Sequence, residues 1–339
     1  MRKYSIPSLL AVCLTIPVAQ TSAQAQADFF KGKTVTVVVG ARAIGSLSVS
    51  AQVLTRHWGK YIPGNPTVIL RQMPGGAHLN ATNHVFNVAE ADGLTILAAN
   101  PNVALAQLAK LNSVRFDVRQ FVWLGSSGPD GSLFAIRTSL PYQSFKELKD
   151  SGVELVAGTT GPGSNAHDFP LLLKEFAGLK VRLVAGYAAN SDILLAIDRK
   201  EADTWAALAT TVQLAVDRGS VRPLVRSRTP VPGWNHLPVD ETLTDDPIGK
   251  SLMGIRGIPQ SIGRAFAVRP GTPPDRVAIL RDAIAKTVAD PEFKSDAERA
   301  QLHVEHIGAD EVAKRFNELM NQPPAVIDAM GKYLKPGGS

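Results

Sequence analysis

Gly40, Arg42, Ser46 and Ser48 follow directly on the β-branched run 34–39, "TVTVVV". Four residues separate Gly40 from Gly45, the spacing that opens a phosphate-binding G-x-x-x-x-G-K-[ST] loop, but Ser46 and Leu47 stand where Lys and Ser/Thr are required. No G-x-G-x-x-G follows the strand, so the dinucleotide fingerprint is missing too. What remains is a general anion cradle. Gly40 lets the backbone turn its N–H groups outward, Ser46 and Ser48 bring hydroxyls, and the helix start adds the positive end of a dipole. Arg42 can fork onto a carboxylate, although an arginine here also reads as an ordinary solvated surface residue.

Two later loops have the same make-up. In "QMPGGAHLNATN" (72–83), Gly75 and Gly76 offer backbone donors before a helix, with the side chains of His78 and Asn80 beside them. A lone histidine such as His78 serves structure as readily as a ligand. In "GTTGPGSNAH" (158–167), three glycines accompany Thr159, Thr160, Ser164 and Asn165 ahead of another helix. This is not a nucleophile elbow, because G-x-S-x-G is missing. Each loop alone reads as a strand-to-helix turn; three of one kind point to a shared anionic ligand.

Catalytic and metal-binding sets do not assemble. There is no H-E-x-x-H, the single cysteine is Cys13, and the seven histidines are dispersed. Asp168 follows His167 directly, and adjacent residues on a helix do not face each other. A Ser-His-Asp triad is spatial and leaves no fixed spacing, so an exported hydrolase stays as an alternative. The expectation is a protein that is not an enzyme and needs no cofactor or metal.

Strand-like runs at 34–39, 67–73, 94–100, 121–126, 133–137, 153–159, 181–186, 202–208 and 264–269 alternate with helix-like stretches at 47–60, 77–88, 144–149, 165–177, 189–199, 273–288 and 309–320. That alternation predicts an α/β architecture with largely parallel sheets. Two sheets are expected, one from the strands up to 126 and one from 133 to about 225. Crossovers near 127–132 and 226–262 would return the chain to the first. The boundaries read as 1–27 leader, 28–130 first part of lobe one, 131–226 lobe two, and 227–339 the return with the C-terminal helices. A cleft between two lobes is a common ligand site.

Arg2 and Lys3 precede the apolar run 6–19, "IPSLLAVCLTIPVA", and Ala23-x-Ala25 and Ala25-x-Ala27 both fit a signal-peptidase site, which predicts export, with cleavage after Ala27 the favoured one. The run is shorter than the ~20 residues of a membrane-spanning helix. The 339 residues are 45% hydrophobic and 19% charged, a globular composition large enough for two lobes. Net charge is +6, or +4 (6 − 2) without Arg2 and Lys3. The basic residues form no dense run, which argues against nucleic-acid binding.

The stretches "FFKGKTVTVVVGARAIGS", "MPGGAHLNATN", "ADGLTILAANPN", "GTTGPGSNAH" and "VAGYAANSDILLAIDRKEAD" occur in the order of the periplasmic solute receptors of tripartite tricarboxylate transporters, the Bug family. The resemblance extends from about Phe29 to Val288 and rests on the order and spacing of the motifs, since none is specific alone. It implies the type II periplasmic-binding fold: two α/β lobes with a hinge and an interlobe cleft. It also implies a small organic acid as ligand and delivery to a permease of one large and one small membrane subunit, from a monomeric receptor in the periplasm. The family's contacts fall here on Arg42, Ala43, Gly45, Ser46, Ser48, Gly75, Gly76, Ala77 and His78 from one lobe. Thr159, Thr160, Ser164, Asn165, Tyr187, Asn190 and Ser191 match those from the other, and the loop after the strand ending near Ala206 adds to them. Where the family usually shows P-G-G-x-x-D, this chain has Ala43-Ile44-Gly45-Ser46-Leu47-Ser48. Loss of the acid beside Arg42 predicts an anionic ligand without an amine, and Ile44 and Leu47 would favour an apolar or aromatic body. A sensor that signals to a membrane kinase is the remaining alternative.

Overall fold

The computed structural model describes residues 29–42, 46–187 and 189–333. The signal-peptide expectation and Cys13 lie outside the described residues, as do Ala43, Ile44 and Gly45; for Ser46 and Ala77 only the backbone is described.

The first part of the chain runs β1 (Thr34–Val39), α1 (Ser46–Trp58), β2 (Thr67–Gln72), α2 (Leu79–Asn87), β3 (Thr95–Ala99), α3 (Val103–Leu108) and β4 (Val122–Ser126). It then crosses to β5 (Ser132–Arg137), α4 (Phe145–Ser151), β6 (Leu155–Gly158), α5 (Asn165–Ala177), β7 (Val181–Val184), α6 (Asn190–Asp198), β8 (Thr204–Leu208), α7 (Ala209–Asp217) and β9 (Val221–Arg226). The remainder is α8 (Pro247–Ile262), β10 (Ala265–Val268), α9 (Pro274–Ala289), α10 (Pro291–Arg299), α11 (Ala309–Met320) and α12 (Pro324–Tyr333).

The strands form two five-stranded sheets, ordered β2-β1-β3-β10-β4 and β7-β6-β8-β5-β9. The orders correspond position by position, with the incoming strand (β10 or β5) in the fourth place of each. Because the incoming strand enters from the opposite end, it pairs antiparallel on both sides: β10 with β3 and β4, β5 with β8 and β9. The other ladders are parallel. The sheets are therefore mixed, which corrects the expectation of largely parallel ones.

Three clusters bury the apolar residues. Val35, Val37, Trp58 and Phe266 pack on one face of the first sheet, and Leu133, Trp205, Ile193 and Val212 on one face of the second. The third cluster joins the remaining faces of both sheets through α5, α8, α11 and α12, with Val38, Leu97, Phe134, Leu172, Leu252 and Phe316 among its members. Alternation of inward and outward side chains along β1 serves both faces at once.

Two crossing segments tie the sheets together. Ser127 N–H donates to the Arg264 carbonyl at 3.0 Å, Arg264 N–H to that of Gly128 at 3.1 Å, and Asp130 N–H to that of Gln260 at 3.0 Å. Gly263 has φ +65°, and a Cβ there would lie 2.0 Å from the Gly128 carbonyl oxygen, so the crossing tolerates only glycine. A buried Arg264–Asp130 ion pair at 3.2 Å lies beside it. Helix α8 falls in a segment read from sequence as a plain crossover. Asp246 caps it by accepting from Gly249 N–H at 2.8 Å, and its glycines allow Phe176 and Arg228 to approach closely. Burial on α5, α11 and α12 outweighs the poor helix propensity of its Gly and Pro residues.

Candidate functional site

β1 ends against the second loop. A Cβ on Gly40 would sit 2.8 Å from the Cα of His78, so glycine at 40 is what lets the two loops meet. His78 itself has φ +75°. Burial pushes its imidazole below the ordinary value of 6.5, with the Gly40 backbone opposing the shift.

Between the lobes lies a cavity of about 580 Å³. Gly76, His78, Asn100 and Asn102 line it from the first sheet's side, and Thr160, Ser164, Asn165, Asn190 and Thr211 from the second's. Leu79, Leu105, Ala106, Ala109, Leu111 and Met330 add an apolar wall. Helices α2, α5 and α6 begin at lining residues Leu79, Asn165 and Asn190, and Leu208, just ahead of α7, lines the cavity as well. Several positive helix ends therefore face one space, which favours an anion there.

The chemistry of the polar wall follows from what its asparagines already bind. Asn165 Oδ1 accepts from Arg256 at 3.3 Å and from Gln260 Nε2 at 3.0 Å. Asn190 Oδ1 accepts from the Trp205 indole N–H at 3.1 Å. Asn100 Oδ1 accepts from the Asn102 backbone N–H at 3.0 Å in an Asx turn. Guanidinium, indole and backbone N–H groups can only donate, so in each asparagine the oxygen is fixed and the Nδ2 amide is the group left over. Among the described residues none of the three Nδ2 groups has a protein partner, and all three residues line the cavity. The wall thus presents uncharged N–H donors.

Behind Asn165 stands a buried network. Arg256, 4% exposed, pairs with buried Asp240, donates to Ser132 Oγ at 3.0 Å and lies 3.8 Å over the Phe169 ring. Ser132 in turn donates to Gln260 Oε1 at 3.1 Å. Both donors to Asn165 are held by packing and by their own partners, which fixes the amide before any ligand arrives. Asp168 is a carboxylic acid on the lining. Burial pushes its carboxyl up, opposed by His167 Nδ1 at 2.8 Å and Gly163 N–H at 3.1 Å, both on Oδ1. The two neighbouring side chains therefore do meet, against the expectation from helix geometry, because both lie in the first turn of α5, where His167 can fold back onto the carboxylate.

Of the side chains expected from sequence, His78, Thr160, Ser164, Asn165 and Asn190 line the cavity, with Gly76. Ser164 is the N-cap of α5, accepting from His167 N–H at 3.3 Å and donating to the Gly161 carbonyl at 2.7 Å, so its hydroxyl is already engaged. Thr159 is fully buried and accepts from Gly161 N–H at 3.1 Å; Tyr187 packs against Gly158; Gly75 and Ser191 are exposed; Ser48 is buried within α1. None of these five lines the cavity. Arg42 is exposed and also outside the lining. Leu47 borders a smaller space of about 110 Å³, which shares Asn100, Asn102, Asn165 and Leu208 with the main cavity. Asn100, Asn102, Leu105, Leu111, Thr211 and Met330 line the cavity too and are not among the residues expected from sequence. The run Asn100-Pro101-Asn102 at the end of a strand is a turn signal that would have flagged the first two.

A second cavity, about 430 Å³, lies near Trp234, Gln213, Asp130 and Gln301 and contains none of the expected residues. Among the described residues His57, Asp290 and Glu292 bring three potential metal ligands together, but the Lys60 ammonium pairs with both carboxylates. No helix of the described residues is long and apolar enough to cross a membrane.

No sequence-family profile matches the chain, and no curated protein matches it. Solved structures do. A TctC solute-binding protein from Polaromonas is 18% identical over 88% of this chain and 99% of its own, with TM-score 0.65. MatC from Rhodopseudomonas palustris, with bound malate, is 17% identical over 88% of this chain and 100% of its own, TM-score 0.63. An R. palustris protein with adipate is 17% identical over 88% and 98%, TM-score 0.67. The chain has the fold of these solute-binding proteins: two α/β lobes joined by two crossings, with a cleft between them.

Proposed function

We propose that the chain is a periplasmic receptor of the tripartite tricarboxylate transporter (Bug) type, which binds a small organic carboxylate between its lobes and delivers it to a membrane permease of one large and one small subunit. The observation that carries this reading is the set of three asparagines whose oxygens are capped by donor-only groups, leaving Nδ2 donors at the cavity wall. Helix N-termini reinforce the preference for negative charge. Malate and adipate in two proteins of the same fold agree with it. The binding set is Asn100, Thr160, Asn165 and Asn190, with His78 and the Gly76 backbone closing from the first lobe. Lobe one comprises 28–130 and 261–339 and lobe two 131–260, hinged where 127–131 runs beside 260–264, with 227–260 held on lobe two by Arg226 N–H donating to the Pro238 carbonyl at 3.0 Å and Arg256 donating to Ser132 Oγ at 3.0 Å. Closure brings Asn100 toward Asn165 and Asn190 and orders the donors around one carboxylate. Binding without turnover requires no nucleophile.

A thermal-shift panel on the purified chain tests this. Small carboxylates are expected to raise Tm, and their primary amides of equal size are not, since a ligand that binds only the folded state stabilises it. Equal shifts from neutral amides or from amines would refute the reading.

A further inference from the structure

We infer that the solute is a monocarboxylate with an apolar body, not a di- or tricarboxylate; this rests on the carboxylate reading of the same cavity. The cavity is two-ended in chemistry. Asn100, Asn165 and Asn190 supply the donors. The apolar wall consists of Leu105, Ala106, Ala109, Leu111 and Met330, drawn from α3, the turn after it and the C-terminal α12.

Charge decides against a second carboxylate. Among the described lining residues there is no Lys or Arg; His78 and Asp168 are the ionisable ones, and the first is held toward neutrality by burial. The buried cations nearest the polar wall are already matched, Arg256 by Asp240 and Arg264 by Asp130 at 3.2 Å. Arg42 is exposed and off the lining. One carboxylate can be held by asparagine N–H groups and helix ends, as neutral donors hold anions elsewhere. A second carboxylate placed along the Leu105–Leu111 wall would lose water and gain no partner, which is strongly unfavourable. Methylene or aryl groups on the same wall gain from burial, roughly fourfold in affinity per methylene.

Calorimetric titration of the full purified chain separates these cases. The probes are butanoate, hexanoate, octanoate and benzoate, each linear acid set against the α,ω-diacid of the same carbon number. The expected result is affinity rising roughly fourfold per methylene in the monoacid series, with each diacid at least about tenfold weaker than its monoacid. Leu105→Asn and Leu111→Asn are expected to flatten the chain-length dependence of the monoacid series. Because the decisive comparison uses the unaltered chain, it stands even if a variant fails to fold. Diacids binding as tightly as monoacids, or a flat monoacid series, overturns the inference and leaves the carboxylate reading standing. Absence of binding by both series overturns the carboxylate reading and this inference with it.

Discussion

Replacing Asn165 by aspartate, Asn165→Asp, changes the group that faces the cleft and leaves the buried side of the residue nearly intact. Arg256 and Gln260 donate to Oδ1 at 3.3 and 3.0 Å, and a carboxylate oxygen accepts both bonds as well as the amide oxygen does. An acid in the first turn of α5 also suits the helix dipole. The fold should persist, with Tm within a few degrees of the parent. What changes is the second atom, from an N–H donor to a charged acceptor. Losing a hydrogen bond to a charged ligand costs about 1.5–3 kcal/mol. Two carboxylates at ~4 Å with an effective dielectric of ~20 repel by about 4 kcal/mol, of which Arg256, itself matched by Asp240, offsets only part. A net loss of at least ~3 kcal/mol is on the order of a hundredfold in Kd. Titration calorimetry at pH 7 with the best carboxylate reads it directly. Affinity within about threefold of the parent, in a variant of unchanged Tm, would mean that the Nδ2 of Asn165 does not touch the ligand.

Two further outcomes are expected. Burial lowers the His78 pKa from 6.5, so the unfolded chain binds more protons there than the folded one, and its contribution to stability is lost as pH falls below 6.5. A bound anion favours the imidazolium, so affinity rises over the same interval, up to about tenfold for each unit by which the anion raises the pKa. His78→Asn, a residue suited to φ +75°, should remove that pH dependence of Kd while keeping binding at pH 7.5; a parent Kd independent of pH from 7 to 5 would refute the link. Gly40→Ala places a methyl 2.8 Å from the His78 Cα, and is expected to cost about 1–3 kcal/mol by urea denaturation, because backbone and not a flexible side chain must move. An unchanged midpoint would show that the two loops do not abut.

The readable part of the fold was the part written in local pattern. The β-branched runs gave β1 to β4, and the Gly/Ser turns after β1, β2 and β6 gave the loops, because strand propensity and turn chemistry act over a few residues. Helix α8 was not readable: its Gly249, Gly254, Gly257 and Pro259 argue against a helix, and the close approach of Phe176 and Arg228 that explains the three glycines is visible only in the fold. Asn165 and Asn190 were legible as polar residues at helix starts. Their donor polarity was not, since it depends on Arg256, Gln260 and Trp205, up to 95 residues away in the chain. Arg42, attractive in sequence as a carboxylate partner, lies exposed outside the cavity lining.

The α/β character and the three small-residue loops at strand ends follow from backbone preferences and side-chain periodicity within short windows, and so are legible without the fold. Only the packed fold sets that the returning strand β10 reverses the pairing in the first sheet, that Gly40 comes against His78, and which atom of each asparagine is left without a protein partner among the described residues. Those outcomes depend on contacts between residues far apart in the chain, where close packing and the donor-only character of a distant guanidinium or indole leave a single arrangement.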